Sequence, residues 1–449
     1  MKLSTNYVCE VCGYDSPAFM GKCPECGTWN SLREIKVANS NSKISRPSSG
    51  SSLSASDITP KKLTEIKFEE KDRSGTGFSE LDNVLGGGIV PGSVILLAGD
   101  PGIGKSTLLL QLALNFAGNK KNGQVLYVSG EESEQQIKLR ANRLTKTKNE
   151  NLLLISISNT DAIVDVATST KPSLLIIDSI QTMESENLTG LSGSVGQVRY
   201  AAGEFIKMAK SQNIPVIIVG HVTKEGMVAG PMVLSHMVDT VLFLEGEKFT
   251  QLRILRGLKN RFGPVDEVGV FSMTAAGMSE IKNPEEIFLF DKKNVAAGSV
   301  LTITLEGTRA FLVEIQALAV YSKLPMPRRV ASGIDGKRLE LLLAVLQKHA
   351  HLPVESMDIY VNVAGGLKLS DRAADLAICL SIFSSLRNIP LPKTVAVSEV
   401  GLLGELRPVS DFPKRAKEAR KLGFNNVFGS DKFKSLSDIV GIYDKRRVK

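Results

Sequence analysis

The chain has 449 residues, 43% apolar and 23% charged, a length that suggests about three domains at ~150 residues each and a composition ordinary for globular protein. No apolar run reaches the ~18 residues of a membrane span, and Met1-Lys2-Leu3-Ser4-Thr5-Asn6 lacks the apolar stretch of a secretory signal, so a membrane protein is excluded and a cytoplasmic enzyme or binding protein is expected. The net charge of +8 is localised: residues 413–449 hold 11 bases against four acids, and the remainder 44 bases against 43 acids. A basic end of this kind suits nucleic acid, and a solvated helix face would read the same way.

Four of the five cysteines fall in the first 26 residues, as Cys9-x2-Cys12 and Cys23-x2-Cys26. Two such pairs allow four thiolates to converge on one tetrahedral Zn²⁺. Gly13 and Gly27 follow the second cysteine of each pair, where a knuckle turn needs a permissive backbone. Disulfides are the competing reading, disfavoured where no secretory signal is present and thiols stay reduced. A zinc ribbon is therefore expected over residues 1–35, with metal supplying most of its stability. Cys379, in Leu376-Ala-Ile-Cys-Leu380, reads as plain core. Residues 38–56 hold nine serines and show no apolar period, so 36–62 is expected to be a flexible linker.

Val94-Ile-Leu-Leu-Ala98 reads as a buried strand running into Gly99-Asp100-Pro101-Gly102-Ile103-Gly104-Lys105-Ser106-Thr107, and Leu108–Ala117 as the helix that follows. This is a GxxxxGK[ST] phosphate-binding loop in its strand–loop–helix setting. Its glycines let backbone N–H groups close around phosphate oxygens at a helix N-terminus. Lys105 is expected to reach the β- and γ-phosphates of ATP and Ser106 to ligate Mg²⁺. Ser173-Leu-Leu-Ile-Ile-Asp178 is an apolar strand ending in the acid expected to anchor Mg²⁺ through water. Gln124–Gly130 is a strand ending in Glu131-Glu132, and Val216–His221 another ending in a polar residue placed to sense the γ-phosphate. Individually, Glu131 could cap the next helix and His221 could be a satisfied loop histidine. Together with the loop they predict a doubly wound parallel sheet with its site at the strand ends.

Leu81-Asp82-x2-Leu85-Gly86-Gly87-Gly88 resembles the entry segment of RecA/KaiC-type ATPases. With the four-cysteine module and Lys259-Asn260-Arg261-Phe262-Gly263, the chain resembles, over essentially its whole length, the bacterial RadA (Sms) family. The resemblance implies an α/β fold with a RecA-like ATPase core over 63–282. It also implies a DNA-dependent ATPase that forms a hexameric ring, acts with RecA on single-stranded and branched DNA, and drives branch migration in double-strand break repair. By the same resemblance Glu131 falls at the catalytic glutamate and His221 at the γ-phosphate sensor. Residues 222–236 fall at a DNA-contacting loop, and Arg256, Lys259 and Arg261 where such rings reach a neighbour's nucleotide. A turn with solvated bases is the plainer reading of KNRFG, since Phe262-Gly263-Pro264 has turn character.

Residues 283–449 resemble the α+β proteolytic domain of Lon. Asp358–Val363 and Val395–Ser398 read as strands, Asp371–Ser385 as a helix, and 414–421 as a basic helix. Lon uses a Ser–Lys dyad, but here the corresponding positions hold Ala373 and Pro413. Ser370 and Lys414 are near in sequence, yet a shift of three or one residues re-aims a side chain. No protease activity is expected, and the domain reads as a ring-forming, DNA-binding platform. An ATP-dependent protease and a KaiC-like signalling ATPase or kinase are the alternatives to a DNA motor.

Overall fold

The computed structural model describes residues 4–9, 15–16, 18–25, 27–37, 62, 64, 73–119, 122–145, 149–188, 190–221, 234–246, 251–281, 296–392 and 394–446. They divide into two compact units: Met1–Leu244 with Gly257–Pro264 and Ala275–Met278, and Glu245–Arg256 with Val265–Thr274 and Ser279–Lys449.

The first unit opens with a small antiparallel sheet of order β2-β1-β3, from β1 (Ser4–Cys9), β2 (Asp15–Ser16) and β3 (Leu32–Val37). Cys9 and Cys23, each 1% exposed, pack with Leu32 in its core. Between them and β3, Gly27 takes φ +69° and its N–H donates to the Cys23 carbonyl at 2.9 Å.

After α1 (Ser79–Leu85) comes the main sheet of this unit: β4 (Val94–Gly99), β5 (Val125–Ser129), β6 (Leu152–Ser156), β7 (Leu174–Asp178), β8 (Val216–His221) and β9 (Thr240–Glu245). The spatial order is β9-β4-β8-β7-β5-β6 and every pairing is parallel. Every residue of β4, β5 and β7 is buried, as expected of strands covered on both faces. Alternate residues serve opposite faces: Val94 and Leu96 join the cluster with Ile163, Val198 and Phe205, whereas Ile95 and Leu97 line a small apolar gap with Leu81, Leu108 and Leu112.

The covering helices are α2 (Lys105–Gly118), α3 (Glu134–Leu144), α4 (Thr160–Thr170) and α5 (Val195–Gln212). Helix α2 begins at Lys105, three residues before the apolar stretch. Ser133 caps α3 in a reciprocal capping box with Gln136, so Glu131 is not that helix's cap.

Strand β10 (Leu252–Asn260) passes from the second unit into the first at Gly257. It pairs antiparallel with β11 (Val268–Thr274), and β12 (Gly277–Glu280) follows. The second unit holds β13 (Ser299–Glu306), β14 (Arg309–Tyr321), β15 (Arg329–Ser332), β16 (Met357–Val363), β17 (Thr394–Ala396), β18 (Glu399–Val400), β19 (Leu406–Arg407) and β20 (Asn426–Phe428). Six of these form a mixed sheet of order β15-β16-β14-β13-β17-β20. Its helices are α6 (Gly336–Ala350), α7 (Asp375–Arg387), α8 (Phe412–Lys421) and α9 (Leu436–Arg446). Period-two alternation in β14 separates two cores: Phe311, Val313 and Ile315 pack with residues of α6 and α7, while Leu312 packs with Ala419 and Phe424. The helix expected from Asp371 is a 3-10 turn (Arg372–Ala374) leading into α7. Cys379 is fully buried, and burial pushes its thiol pKa up.

One expectation is corrected. Of the basic run at 414–421, Arg415 is 1% exposed and points inward. Its guanidinium bonds the Asp371 carboxylate at 2.5 Å and the carbonyls of Ile303 and Ser410 at 2.8 and 2.9 Å, because a helix whose Ala416 and Ala419 face the sheet brings the neighbouring position inside. Lys414, Lys417, Arg420 and Lys421 remain exposed.

Among the described residues, no helix is long and apolar enough to cross a membrane.

Candidate active site

Four adjacent strands, β4, β8, β7 and β5, end side by side. Register pairs Gly99 with His221 and Ser129 with Asp178, which brings the phosphate-binding loop, His221, Asp178 and the Glu131 segment to one edge of the sheet.

Gly99 enters the loop where a Cβ would lie 2.3 Å from the Leu244 carbonyl oxygen. Gly104, at the N-terminus of α2, has φ +110°; there only glycine avoids a steric penalty. Asp100 and Ile103 close a turn between these glycines through a 3.3 Å backbone bond, with Pro101 and Gly102 exposed on the outside. Ser106 and Thr107 lie half-buried in the first turn of α2.

Lys105 is 3% exposed, and its ammonium donates to the carbonyls of Gly99 and Asp100 at 2.8 and 2.9 Å. Burial lowers its pKa to about 8, against the opposing pull of Asp178, Asp100 and Glu131.

Asp178, 7% exposed, accepts a 2.6 Å hydrogen bond from the Tyr127 hydroxyl. Glu131 accepts one from the Ser179 hydroxyl at 2.7 Å, and His221 Nε2 lies 3.6 Å from the same Glu131 oxygen. The His221 pKa is lowered, first by burial and then by Lys105, with Glu131 acting against both. Among the described residues its Nδ1 is buried with no hydrogen-bond partner, and His221 ends β8 rather than lying in a loop. Tyr127, Ser179 and Gln181, whose amide donates to the His221 carbonyl at 3.4 Å, were not singled out from sequence. Ser179 and Gln181 could have been, as the polar residues immediately after Asp178; Tyr127 sits in an apolar run and reads as core.

KNRFG lies at the other edge. Asp239, just before β9, accepts from the Val94 amide at 3.0 Å, from Lys210 at 2.5 Å and from the Arg261 guanidinium at 3.3 Å. Lys259 donates to the carbonyls of Ser235 and Val238 at 2.7 and 2.8 Å, and its pKa is lowered by partial burial and by Arg261. The Asn260 amide reaches the Leu85 carbonyl at 3.3 Å, and its oxygen accepts from the Phe262 amide at 3.0 Å. Arg73 donates to the Phe262 carbonyl at 2.7 Å, and the Lys210 ammonium sits 5.9 Å from the Phe262 ring centre. A Cβ on Gly263 would come within 3.1 Å of Gly86 Cα. Lys259 and Asn260 thus end β10 and only Arg261–Gly263 bend into a turn, and the polar groups of KNRFG bond other backbone and side chains. Since Val94 and Gly99 are five strand steps apart, about 17 Å separates this turn's edge from the phosphate-binding edge. The structure does not bring Lys259 or Arg261 to the chain's own Lys105.

In the second unit Arg256 bonds Glu245 and Glu306. Ala373 is fully buried and Pro413 occupies the first turn of α8, so neither dyad position carries a reactive atom. Ser370 lines a cavity of about 440 Å³ with Leu369, Asp371 and Arg372. Cys12, Cys26 and residues 222–233 lie outside the described residues.

Similarity to known proteins gives the family. The AAA domain family matches residues 59–227 and the rubredoxin metal binding domain family residues 7–34. The DNA repair protein RadA of Bacillus subtilis (strain 168) is 47% identical over 429 residues, covering 95% of this chain and 92% of its own. That of Halalkalibacterium halodurans is 45% identical over 452 residues, covering 98% and 97%. Among solved structures, the RadB recombinase aligns with 46% of this chain and 99% of its own at 23% identity, with a TM-score of 0.37. An α/β nucleotide-binding core behind a metal-binding ribbon, together with identity of this level along nearly the whole length, settles the assignment: the chain belongs to the RadA family of DNA repair proteins.

Proposed function

We propose that this chain is a DNA repair ATPase of the cytoplasm, a DNA-dependent motor that promotes branch migration of RecA-mediated strand exchange. It would work as a hexameric ring on single-stranded and branched DNA. The observation that carries the reading is the placement of Lys105, Asp178, Glu131 and His221 at the ends of four adjacent parallel strands around a glycine loop.

The residues fit a nucleoside triphosphate with Mg²⁺. The loop Gly99–Thr107 offers backbone N–H groups, the buried ammonium of Lys105 supplies a cation, and the Ser106 hydroxyl and Asp178 carboxylate are the hard oxygen donors such an ion takes. Bound Mg²⁺ would neutralise charge on the phosphate oxygens. In hydrolysis a water O–H bond breaks as the new O–P bond forms, Glu131 accepts the proton, and the bond from the γ-phosphorus to the β,γ-bridging oxygen breaks, ADP leaving with that electron pair. Ser179 occupies Oε1, so Oε2 is the oxygen assigned as base. His221, held beside Glu131 and Gly99, would register the γ-phosphate and pass its loss to residues 222–236. Lys259 and Arg261 are assigned to a neighbour's nucleotide, since about 17 Å of strand separates them from their own.

Residues 1–35 would bind one Zn²⁺ through Cys9, Cys12, Cys23 and Cys26, the burial of Cys9 and Cys23 in one cluster being consistent with thiolate ligation. We assign 36–62 as linker, 63–282 as the RecA-like ATPase and 283–449 as a Lon-like platform without proteolytic chemistry. The test is ATP hydrolysis by the full chain with and without single-stranded and branched DNA. Several-fold stimulation is expected; turnover indifferent to DNA would favour a KaiC-like signalling ATPase, and casein digestion a protease.

A further inference from the structure

Tyr127 occupies the centre of β5, whose sequence Val125-Leu-Tyr-Val-Ser129 is otherwise apolar up to its last residue. It is fully buried. Phenylalanine would fill the same space without a phenol to desolvate, and a buried hydroxyl is costly unless it finds a partner. Here the partner is specific: the hydroxyl donates to Asp178 Oδ2 at 2.6 Å. Register sets Tyr127 opposite Ile176 and Ser129 opposite Asp178, so the phenol reaches diagonally along β7 to the residue that ends it.

A carboxylate has two oxygens, and a donor held rigidly on one of them fixes the rotamer and leaves the other to be used elsewhere. We infer that Tyr127 is a positioning residue for magnesium: it holds Asp178 by Oδ2 and leaves Oδ1 as the oxygen that would serve the ion. This inference rests on Asp178 being the Mg²⁺ anchor. It adds a residue to the site that touches neither nucleotide nor metal and acts through the carboxylate alone.

The test is binding of fluorescent mant-ADP to the full chain, titrated with Mg²⁺ and separately in EDTA. Tyr127→Phe should keep the thermal midpoint and the EDTA affinity but raise the Mg²⁺ concentration at half-saturation by about tenfold. An unchanged Mg²⁺ midpoint overturns the inference, as does an equal loss of affinity with and without Mg²⁺, which would mark a merely structural role. Asp178→Asn separates the two claims. If it leaves the Mg²⁺ midpoint unmoved, Asp178 is not the anchor and the site reading fails with the inference. If it moves the midpoint and Tyr127→Phe does not, only Tyr127 is misassigned. Should Tyr127→Phe not fold, the chain made with 3-fluorotyrosine, a stronger hydrogen-bond donor, must shift the Mg²⁺ midpoint; an unshifted one overturns the assignment.

Discussion

Arg261 and Asp239 are joined twice: the Arg261 amide donates to the Asp239 carbonyl oxygen at 3.2 Å, and its guanidinium reaches the Asp239 carboxylate at 3.3 Å. The Asp239 side chain is 5% exposed, whereas that of Arg261 is 57% exposed. The two residues should therefore answer differently to substitution. Asp239→Ala strips the Val94 amide and the Lys210 ammonium of their acceptor and should cost about 2 kcal/mol in denaturant unfolding. Arg261→Ala removes an exposed ion pair and should stay within about 1 kcal/mol of the parent.

Because Arg261→Ala and Lys259→Ala should leave zinc content, fold and nucleotide binding in place, their effect on turnover isolates function. Both should lose DNA-stimulated hydrolysis or branch migration. Mixing either with Lys105→Ala chains should restore part of the activity, since an intact phosphate-binding loop in one chain then faces an intact KNRFG in the next. No recovery, with mixed assemblies shown to form, would count against action in trans.

Lys105→Ala should lower ATP turnover by about 100-fold or more, since charge developing on the transferred phosphoryl loses a preorganised cation. Steady-state hydrolysis by a variant of unchanged melting behaviour measures this. Near-parental turnover would move the active site elsewhere.

Metal analysis of the purified chain should find one zinc. Cys9→Ala with Cys12→Ala should abolish it, because two thiolates cannot complete a tetrahedral site. Retained zinc in the double variant would refute the ligand set.

Lys414, Lys417, Arg420 and Lys421 are exposed on α8, and Arg415 is not. Neutralising the four should flatten the salt dependence of single-stranded DNA affinity by ~0.7 in log–log slope per lost phosphate contact. An unchanged slope would leave these charges to solvent. Arg415→Ala should instead destabilise the second unit by about 3–5 kcal/mol, since it leaves the Asp371 carboxylate without its partner, and calorimetry would show it.

The parallel strands were legible because burial on both faces writes an unbroken apolar run: Val94–Ala98 and Leu174–Ile177 carry no polar residue. The glycine loop was legible because backbone geometry there restricts residue type. The partners were not. Asp239 is one acid before an ordinary strand, and nothing local shows that three donors converge on it from 94, 210 and 261. Arg415 sits among bases of the same appearance, and only the third dimension supplies Asp371. The interleaving of the two units between 245 and 279 leaves no trace in composition, since β10 changes unit in mid-strand.

Strand β4 carries its glycine loop at one end and the contact to Asp239 at the other. On the reading in which KNRFG serves a neighbour, each copy then has a donating pole and a receiving pole on a single rigid rod. Copies joined pole to pole make a heterologous contact, which either closes or runs on as a helix. An open row of n copies completes n − 1 catalytic centres, and closure alone supplies the last one. Specific activity per chain would then climb with assembly length and level off at closure, so a dilution series of turnover would reveal the symmetry of the assembly.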